Sequence, residues 1–263
     1  MHAASQKKRL LTAAIGLPVL VAAVAVGGWP WWILLGAASV VGMEEFFGMV
    51  GRPGPVLRFA GFGLGIASVV GTAFYGFGWL VGPPLLALWL EQFDFLRRFG
   101  SGGAKTLPGG VLSASVLYVP TGLAVLGRLA PLETFFILAV VMATDTGAYY
   151  GGSFFGGPKV WPRVSPAKTV SGSLCGLGAG VLVGVGFGLF GPRGMVPLAS
   201  LGAVMAVVSQ FGDFFESALK RAAGVKDSGR VLPGHGGVLD RIDGLLPAIL
   251  VYAACRIWWG LAG

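Results

Sequence analysis

The sequence predicts an all-α polytopic membrane protein with about nine transmembrane helices, a cytoplasmic N-terminus and a C-terminus on the opposite side. Composition is the first reason. The 263 residues have a mean hydropathy of +0.79, and 55% are hydrophobic whereas only 11% are charged. Charged residues make up roughly a quarter of a soluble chain. A soluble fold of this length could not bury so much apolar surface, so we expect a membrane to cover it.

Apolar runs are the second reason, because a helix that crosses a bilayer needs about 20 mostly apolar residues. Nine such runs follow one another, at 10–27, 30–48, 56–75, 77–93, 108–127, 132–151, 172–190, 195–213 and 242–261. The first run follows a basic start, like a secretory signal, but it is long and a second run follows at once, so we expect an uncleaved span. The run that contains Pro83 and Pro84 is expected to be kinked or partly re-entrant.

Glycines predict how these spans pack. The chain has 46 glycines, and Gly176, Gly180, Gly184 and Gly188 recur at four-residue spacing within one run. They therefore share one helix face, where small residues let a neighbouring backbone approach closely.

The distribution of basic residues is the third reason. With the N-terminus in the cytoplasm, 16 of the 19 basic residues, Lys105 among them, fall in cytoplasmic segments. Only Arg128, Arg193 and Arg256 fall on the other side. This bias follows the positive-inside rule and supports nine spans. Topology and anionic lipid account for the net charge of +8, so we expect no nucleic-acid partner.

Acidic residues indicate where function lies. Ten of the 11, all but Glu133, fall on or near the predicted cytoplasmic side, which the positive-inside rule does not require. Acids and bases on one face favour a polar site open to the cytosol. We therefore predict a transmembrane scaffold over 1–140 and a region over 141–263 that carries a polar site at the cytoplasmic face.

The stretch DTGAYYGG at 145–152 follows the sixth run. Asp145 and Tyr149 are four residues apart and share a face of a helix. An acid at membrane depth indicates a partner or a function.

The stretch SPAKTVSG at 165–172 leads into the seventh run. Ser165, Lys168 and Thr169 place hydroxyls and a cation at a helix start, where free backbone N–H groups suit an anion such as phosphate. An ordinary helix N-cap is the alternative interpretation.

Two pairs of acids flank the last cytoplasmic segment. Asp213 and Glu216 lie three apart, as do Asp240 and Asp243, so each pair projects from one side of its helix. A helical hairpin brings the two pairs together at the membrane surface. Convergent carboxylates repel one another unless a cation joins them, so the pattern predicts a hard divalent cation such as Mg²⁺.

The segment between these acids is basic and rich in glycine. Its cations suit a polyphosphate, and its glycines, including Gly236 and Gly237, allow a backbone to approach an anion. The cations are Lys220, Arg221, Lys226 and Arg230. A basic loop that only obeys the positive-inside rule is the alternative, but it does not explain Asp227. His235 fits a turn residue or a hydrogen-bond donor to phosphate, because it has no metal-ligand spacing.

The motif S-A-L-K-R-x4-K-D-x-G-x2-L-P-x-H-G-G-V-x-D-R-I-D, over 217–243, closely resembles the signature of phosphatidate cytidylyltransferases. The DTGAYYGG and SPAKT stretches resemble that family in order and distance. The first 140 residues match only as a hydrophobic multi-span region. Departures from the family pattern occur at Ala167, Val170 and Ser171, where it commonly has a lysine and a Trp-Glu pair, and at Ser153 and Gly157, where it has basic residues.

The resemblance implies that CTP and phosphatidate give CDP-diacylglycerol and pyrophosphate, with Mg²⁺, in a homodimer within a bacterial inner membrane. It also implies that residues 1–140 serve dimerisation and lipid access and that residues 141–263 form the catalytic region. Our hypothesis is that metal is held by Asp213, Asp240 and Asp243. Phosphates would be held by Lys220, Arg221, Lys226 and Arg241, aided by Ser165, Lys168, Thr169 and His235. Asp145 and Asp227 would hold a second cation or orient the basic groups.

Three other functions are weighed against this one. A transporter would show internal repeats and charges near the midplane of the bilayer, which the sequence lacks. A CDP-alcohol phosphatidyltransferase would carry a D-G-x2-A-R core, whereas Asp243 and Gly244 are followed by Leu-Leu-Pro-Ala. A dolichol-kinase-like CTP enzyme is disfavoured by the motif alone.

Overall fold

A computed structural model describes residues 2–100, 109–191 and 194–258. Over these ranges there are nine α-helices of at least 14 residues, one four-residue α-helix and one 3-10 turn. Lys105, Arg193, residue 108 and residues 259–261, which enter the predictions above, lie outside the described ranges. The chain divides into two compact units.

The first unit comprises Met1–Arg128 and Asp227–Leu239. Its helices are α1 (His2–Val26), α2 (Gly28–Val50), α3 (Pro55–Tyr75), α4 (Gly82–Gly100) and α5 (Val111–Gly127). Helix α5 packs against α2, α3 and α4, and its side chains Leu112, Val116 and Ala124 are fully buried. Glycine on α3 permits close packing against α2, since a Cβ at Gly65 would lie 2.6 Å from the sulfur of Met43 on α2.

The run at 77–93 differs from its prediction. It forms a 3-10 turn over Phe77–Leu80 and then α4, which continues to Gly100. Pro83 and Pro84 lie in the first turn of α4. Proline is tolerated there because the first N–H groups of a helix have no partner within it. Neither proline therefore interrupts α4, so a kink at these prolines is not found, and partial re-entrance of the run stays a prediction.

The second unit comprises Leu129–Lys226 and Asp240–Gly263. Its long helices are α6 (Pro131–Phe155), α7 (Val170–Phe190), α8 (Met195–Ala222) and α10 (Leu245–Trp258), and the short α9 (Leu239–Ile242) precedes α10. Helix α7 packs against both α6 and α8. Its glycine face is buried, and a Cβ at Gly176 would lie 2.7 Å from the carbonyl oxygen of Thr144. The predicted close packing is confirmed.

Five helices, α2, α3, α6, α7 and α8, are long and apolar enough to cross a membrane, by length and composition. The described part of the chain therefore fits an all-α integral membrane protein. Over the described residues, each of the nine apolar runs overlaps one long helix. The count of nine spans and the orientation of the termini stay predictions.

Candidate active site

Helix α8 extends nine residues beyond Asp213, where the apolar run was predicted to end. It stops at a glycine cap: Gly224 has φ +69°, the N–H of Val225 donates to the carbonyl of Lys220 at 2.9 Å, and that of Gly224 donates to Arg221 at 3.1 Å. Because α8 is continuous, Asp213 and Lys220 share one of its faces with Glu216.

Asp240 and Asp243 lie on different elements, contrary to the prediction that they share a helix face. Asp240 is in α9, whereas Asp243 is in the turn before α10. An Asp243 carboxylate oxygen accepts a hydrogen bond from the N–H of Gly244 at 2.7 Å. The turn follows from this local bond, which competes with helix continuation.

Backbone contact brings α8 next to this turn. A Cβ at Gly212 would collide with the carbonyl oxygen of Asp243, and one at Gly244 would lie 2.9 Å from that of Ser209. Glycine at both positions therefore lets the turn lie against α8. The predicted approach of the two acid sets is confirmed.

Lys220 joins carboxylates from α8 and α9. Its ammonium donates to Asp240 at 2.6 Å and forms an ion pair with Glu216, one turn earlier on α8. The side chains of Lys220, Glu216 and Asp240 are 13%, 0% and 6% exposed, so this is a buried network. Glu216 was not among the predicted site residues, although its i,i+4 spacing to Lys220 was a signal for it.

Lys168 neutralises Asp213. It lies in the loop between α6 and α7, forms an ion pair with Asp213, and places its ammonium 4.5 Å from the ring centre of Phe214. The loop holds this position by pairing with itself: the N–H of Val160 donates to the carbonyl of Lys168 at 3.2 Å. The N–H of Ser165 donates to Trp161 at 2.9 Å within the same loop.

Thr169 is the N-cap of α7. Its hydroxyl oxygen accepts a hydrogen bond from the N–H of Gly172 at 3.1 Å, and the residue is only 4% exposed. The N-cap interpretation is therefore confirmed, and this hydroxyl is engaged in the helix start. At the departure from the family pattern, the Ser171 hydroxyl donates to the carbonyl of Gly156.

Asp145 and Tyr149 lie one turn apart on α6, and both are exposed. Asp145 is within electrostatic range of Asp213, Lys168 and Arg241. The DTGAYYGG stretch is thus connected electrostatically to the acids of α8.

The environment of Asp243 disfavours the charged form of its carboxyl group. Burial raises the pKa of its carboxyl well above the ordinary 3.8, and the negative charges of Asp213 and Glu216 raise it further, whereas the Gly244 hydrogen bond opposes the rise. This part of the second unit contains five carboxyl groups and three cations, an excess of two formal negative charges. They are Asp145, Asp213, Glu216, Asp240 and Asp243 against Lys168, Lys220 and Arg241.

Carboxylate oxygens are the type of ligand that Mg²⁺ prefers. Among the residues described, no three Asp, Glu, His or Cys side chains converge as a metal-ligand group. The carboxylates form ion pairs with lysines instead: Asp213 pairs with Lys168, and Asp240 pairs with Lys220.

Two of the remaining predicted cations, Arg221 and Lys226, lie in the last turn of α8 and just beyond its C-terminal end. Arg221 is exposed and its Nε donates to the carbonyl of Val164 at 3.4 Å. Lys226 and Arg241 are also exposed. All three are accessible to a solvent-borne anion.

The segment 227–239, here called the motif loop, belongs to the first unit. A turn at Leu232–His235 closes it: the N–H of His235 donates to Leu232 at 2.9 Å and Gly234 has φ +78° after Pro233, a type II pattern. Leu232 also pairs with Gly236, which has φ +83°. Asp227 is exposed, whereas Gly237 is buried.

Sequence reasoning missed Glu45 of α2 in the first unit. This 6% exposed carboxylate accepts hydrogen bonds from the motif loop, at Val238 and Leu239. An acid within an apolar run was the available signal.

A model of a group described as the cytidylyltransferase family matches residues 7–258. A phosphatidate cytidylyltransferase of Pseudomonas aeruginosa is 35% identical over 286 residues, which cover 97% of this chain and 98% of that protein. Proteins of the same name match over shorter stretches: 52% identity over 116 residues in Brucella suis and 43% over 114 residues in Bacillus subtilis. In both cases the match spans 43% of this chain and 42% of the relative's own length.

Proposed function

The chain belongs to the cytidylyltransferase family, and from this premise we propose that it transfers the CMP group of CTP to phosphatidate, giving CDP-diacylglycerol and pyrophosphate for phospholipid biosynthesis. The observation that carries the proposal is the near full-length similarity to a relative named for this activity. The cluster of carboxylates and cations at α8 and α9 supports it, because both substrates are anions.

The reaction needs little covalent chemistry from the protein. A phosphate oxygen of phosphatidate attacks the α-phosphorus of CTP, and the bond to the bridging oxygen of pyrophosphate breaks, so pyrophosphate leaves with the electron pair. The attacking oxygen is already ionised near neutral pH, so no nucleophilic side chain or strong general base is required. Acceleration comes from charge neutralisation and in-line positioning.

We assign Mg²⁺ to Asp213, Asp240 and Asp243. The excess of two negative charges and the all-oxygen donor set support this assignment. When bound, the ion supplies neutralisation of the phosphate charge. Lys168 and Lys220 are paired with Asp213 and Asp240 here, and both lysines can exchange these carboxylates for substrate phosphates, which are anions of higher charge.

Other polar residues are assigned to the substrates. They would hold phosphates or orient the groups that do. They are Arg221, Lys226, Arg241, Ser165 and His235 for phosphate, and Asp145 and Asp227 for a second cation or for orienting the basic groups.

The proposed setting is a bacterial inner membrane, with the site facing the cytoplasm and the chain forming a homodimer. The one-sided distribution of basic residues supports the orientation. CTP is soluble in the cytosol and phosphatidate is held in the bilayer, so a site at that surface is accessible to both.

Carboxamide variants test the proposal. Purified protein is supplied with labelled CTP, phosphatidate and Mg²⁺, and label in the lipid phase is measured. Asp213→Asn and Asp240→Asn are expected to lower kcat by at least about 100-fold, because charge stabilisation of the transition state is lost. Asp94→Asn is the matched control, since Asp94 pairs with Arg97 and Arg98 on the surface of α4. Wild-type turnover in both site variants would refute the metal assignment.

A further inference from the structure

Glu45 of α2 is a buried anion surrounded by hydrogen-bond donors of the motif loop. One carboxylate oxygen accepts from the N–H of Val238 at 3.0 Å. The other accepts from the N–H of Leu239 at 2.7 Å and from the hydroxyl of Ser228 at 3.1 Å. A carboxylate that is 6% exposed is costly to bury without such charge-assisted bonds, so Glu45 and the loop depend on each other.

Two glycines of the motif make room for this carboxylate. A Cβ at Gly229 would collide with Glu45, whose side chain supplies its three nearest atoms. A Cβ at Gly237 would collide with Glu45 and with the hydroxyl of Ser228. Neither glycine has a positive φ, so backbone conformation does not demand glycine at either position. Glycine is required at both positions because the Glu45 side chain fills the space that a Cβ would need.

We propose that Glu45 is a positioning residue: an internal anion that fixes the motif loop in the conformation required for CMP transfer. This rests on the proposed function, for which the loop carries Asp227 and His235. It assigns Gly229 and Gly237 to the Glu45 carboxylate, whereas sequence reasoning assigned Gly237 to the substrate. The anion that this glycine-rich backbone approaches is part of the protein.

Amide hydrogen exchange of the full-length protein tests directly whether Glu45 holds the motif loop. In Glu45→Gln one carboxylate oxygen becomes an NH₂ group, which cannot accept from a backbone N–H. We expect exchange of the amides at Val238 and Leu239 to be faster by at least about tenfold. Glu44→Gln is the matched control: Glu44 is the next residue on α2 but pairs with Arg58 at 2.6 Å. Its exchange in the motif loop should equal that of the wild type.

Kinetics then test the functional part. We expect Glu45→Gln to lower kcat/KM for CTP by at least about tenfold, and Glu44→Gln to leave it unchanged. Gly229→Ala should reproduce the loss alone, but in a Glu45→Ala background it should cost less than about twofold, because its methyl group enters the vacated space. If the effects of Gly229→Ala and Glu45→Ala on kcat/KM were simply additive in the double variant, the two side chains would not compete for the same space, and this explanation would be wrong.

Two outcomes overturn the proposal. Wild-type exchange at Val238 and Leu239 in Glu45→Gln would show that Glu45 does not hold the loop. Faster exchange with unchanged kcat/KM would show that the anchored conformation is not required for transfer. Because exchange is measured without substrates, it tests the anchor even if the wild-type protein fails to transfer CMP, so failure of the proposed function is recognised separately.

Discussion

Replacement of Lys220 by methionine tests the buried network of the second unit. Lys220 is 13% exposed and serves two carboxylates, Glu216 and Asp240, which are 0% and 6% exposed. Methionine has a similar length without the charge, so the variant leaves both carboxylates without their shared cation. Removing one partner of a buried ion pair costs about 3–5 kcal/mol, and we expect the free energy of unfolding to fall by that amount.

Equilibrium unfolding in mixed detergent micelles measures the change. Lys226→Met is the control, because this exposed lysine lies beyond the end of α8, and its effect should stay within about 0.5 kcal/mol. The double variant Lys220→Met with Glu216→Gln should be more stable than Lys220→Met alone, since only Asp240 then remains uncompensated. If Lys220→Met were as stable as the wild type, the stabilising role of the network would be refuted. If Lys220→Met and Lys226→Met lost the same free energy of unfolding, the effect would not depend on the burial of Lys220.

Three further substitutions give distinct outcomes. Gly180→Val should lower the free energy of unfolding by about 1–3 kcal/mol, because a Cβ at Gly180 would lie only 2.7 Å from the Cβ of Ala206. An unchanged free energy of unfolding would contradict the close packing of α7. Thr169→Val should cost about 1 kcal/mol through loss of the N-cap while KM for CTP stays constant, and a raised KM would instead indicate phosphate contact. Asp243→Asn should raise the thermal midpoint of metal-free protein at neutral pH, because the raised pKa of Asp243 makes its charged form unfavourable in the fold. This gain should vanish in acid as Asp243 becomes protonated, and a gain that persisted there would contradict the charge explanation.

Helices were predictable from the sequence because long apolar runs report directly on burial in a membrane. The ends of the helices were less predictable. Helix α8 continues past its apolar run because Glu216 and Lys220 pair one turn apart, and it stops only at Gly224. The acids after it were placed near α8 correctly, but the hydrogen bond from Gly244 to Asp243 ends α9 before α10 begins. Such local bonds have no hydrophobic signature.

Contacts distant in sequence were the least predictable part of the candidate site. Lys168 and Lys220 were expected to hold phosphates, and in the structure both hold carboxylates, which are the nearest anions in the protein itself. Glu45 lies 193 residues from Val238, to which it binds, so no local pattern connects them. The glycines of the motif loop were recognised as close-approach positions, but the anion they approach required the structure.

The position of the transferred label tests the central claim most directly. Purified protein in phosphatidate liposomes is incubated with Mg²⁺ and CTP labelled at either the α- or the γ-phosphate. Transfer of CMP predicts that α-label enters the lipid phase while γ-label stays in soluble pyrophosphate. Lipid that carries γ-label instead would contradict the account, because it would show phosphoryl transfer by a CTP-dependent lipid kinase.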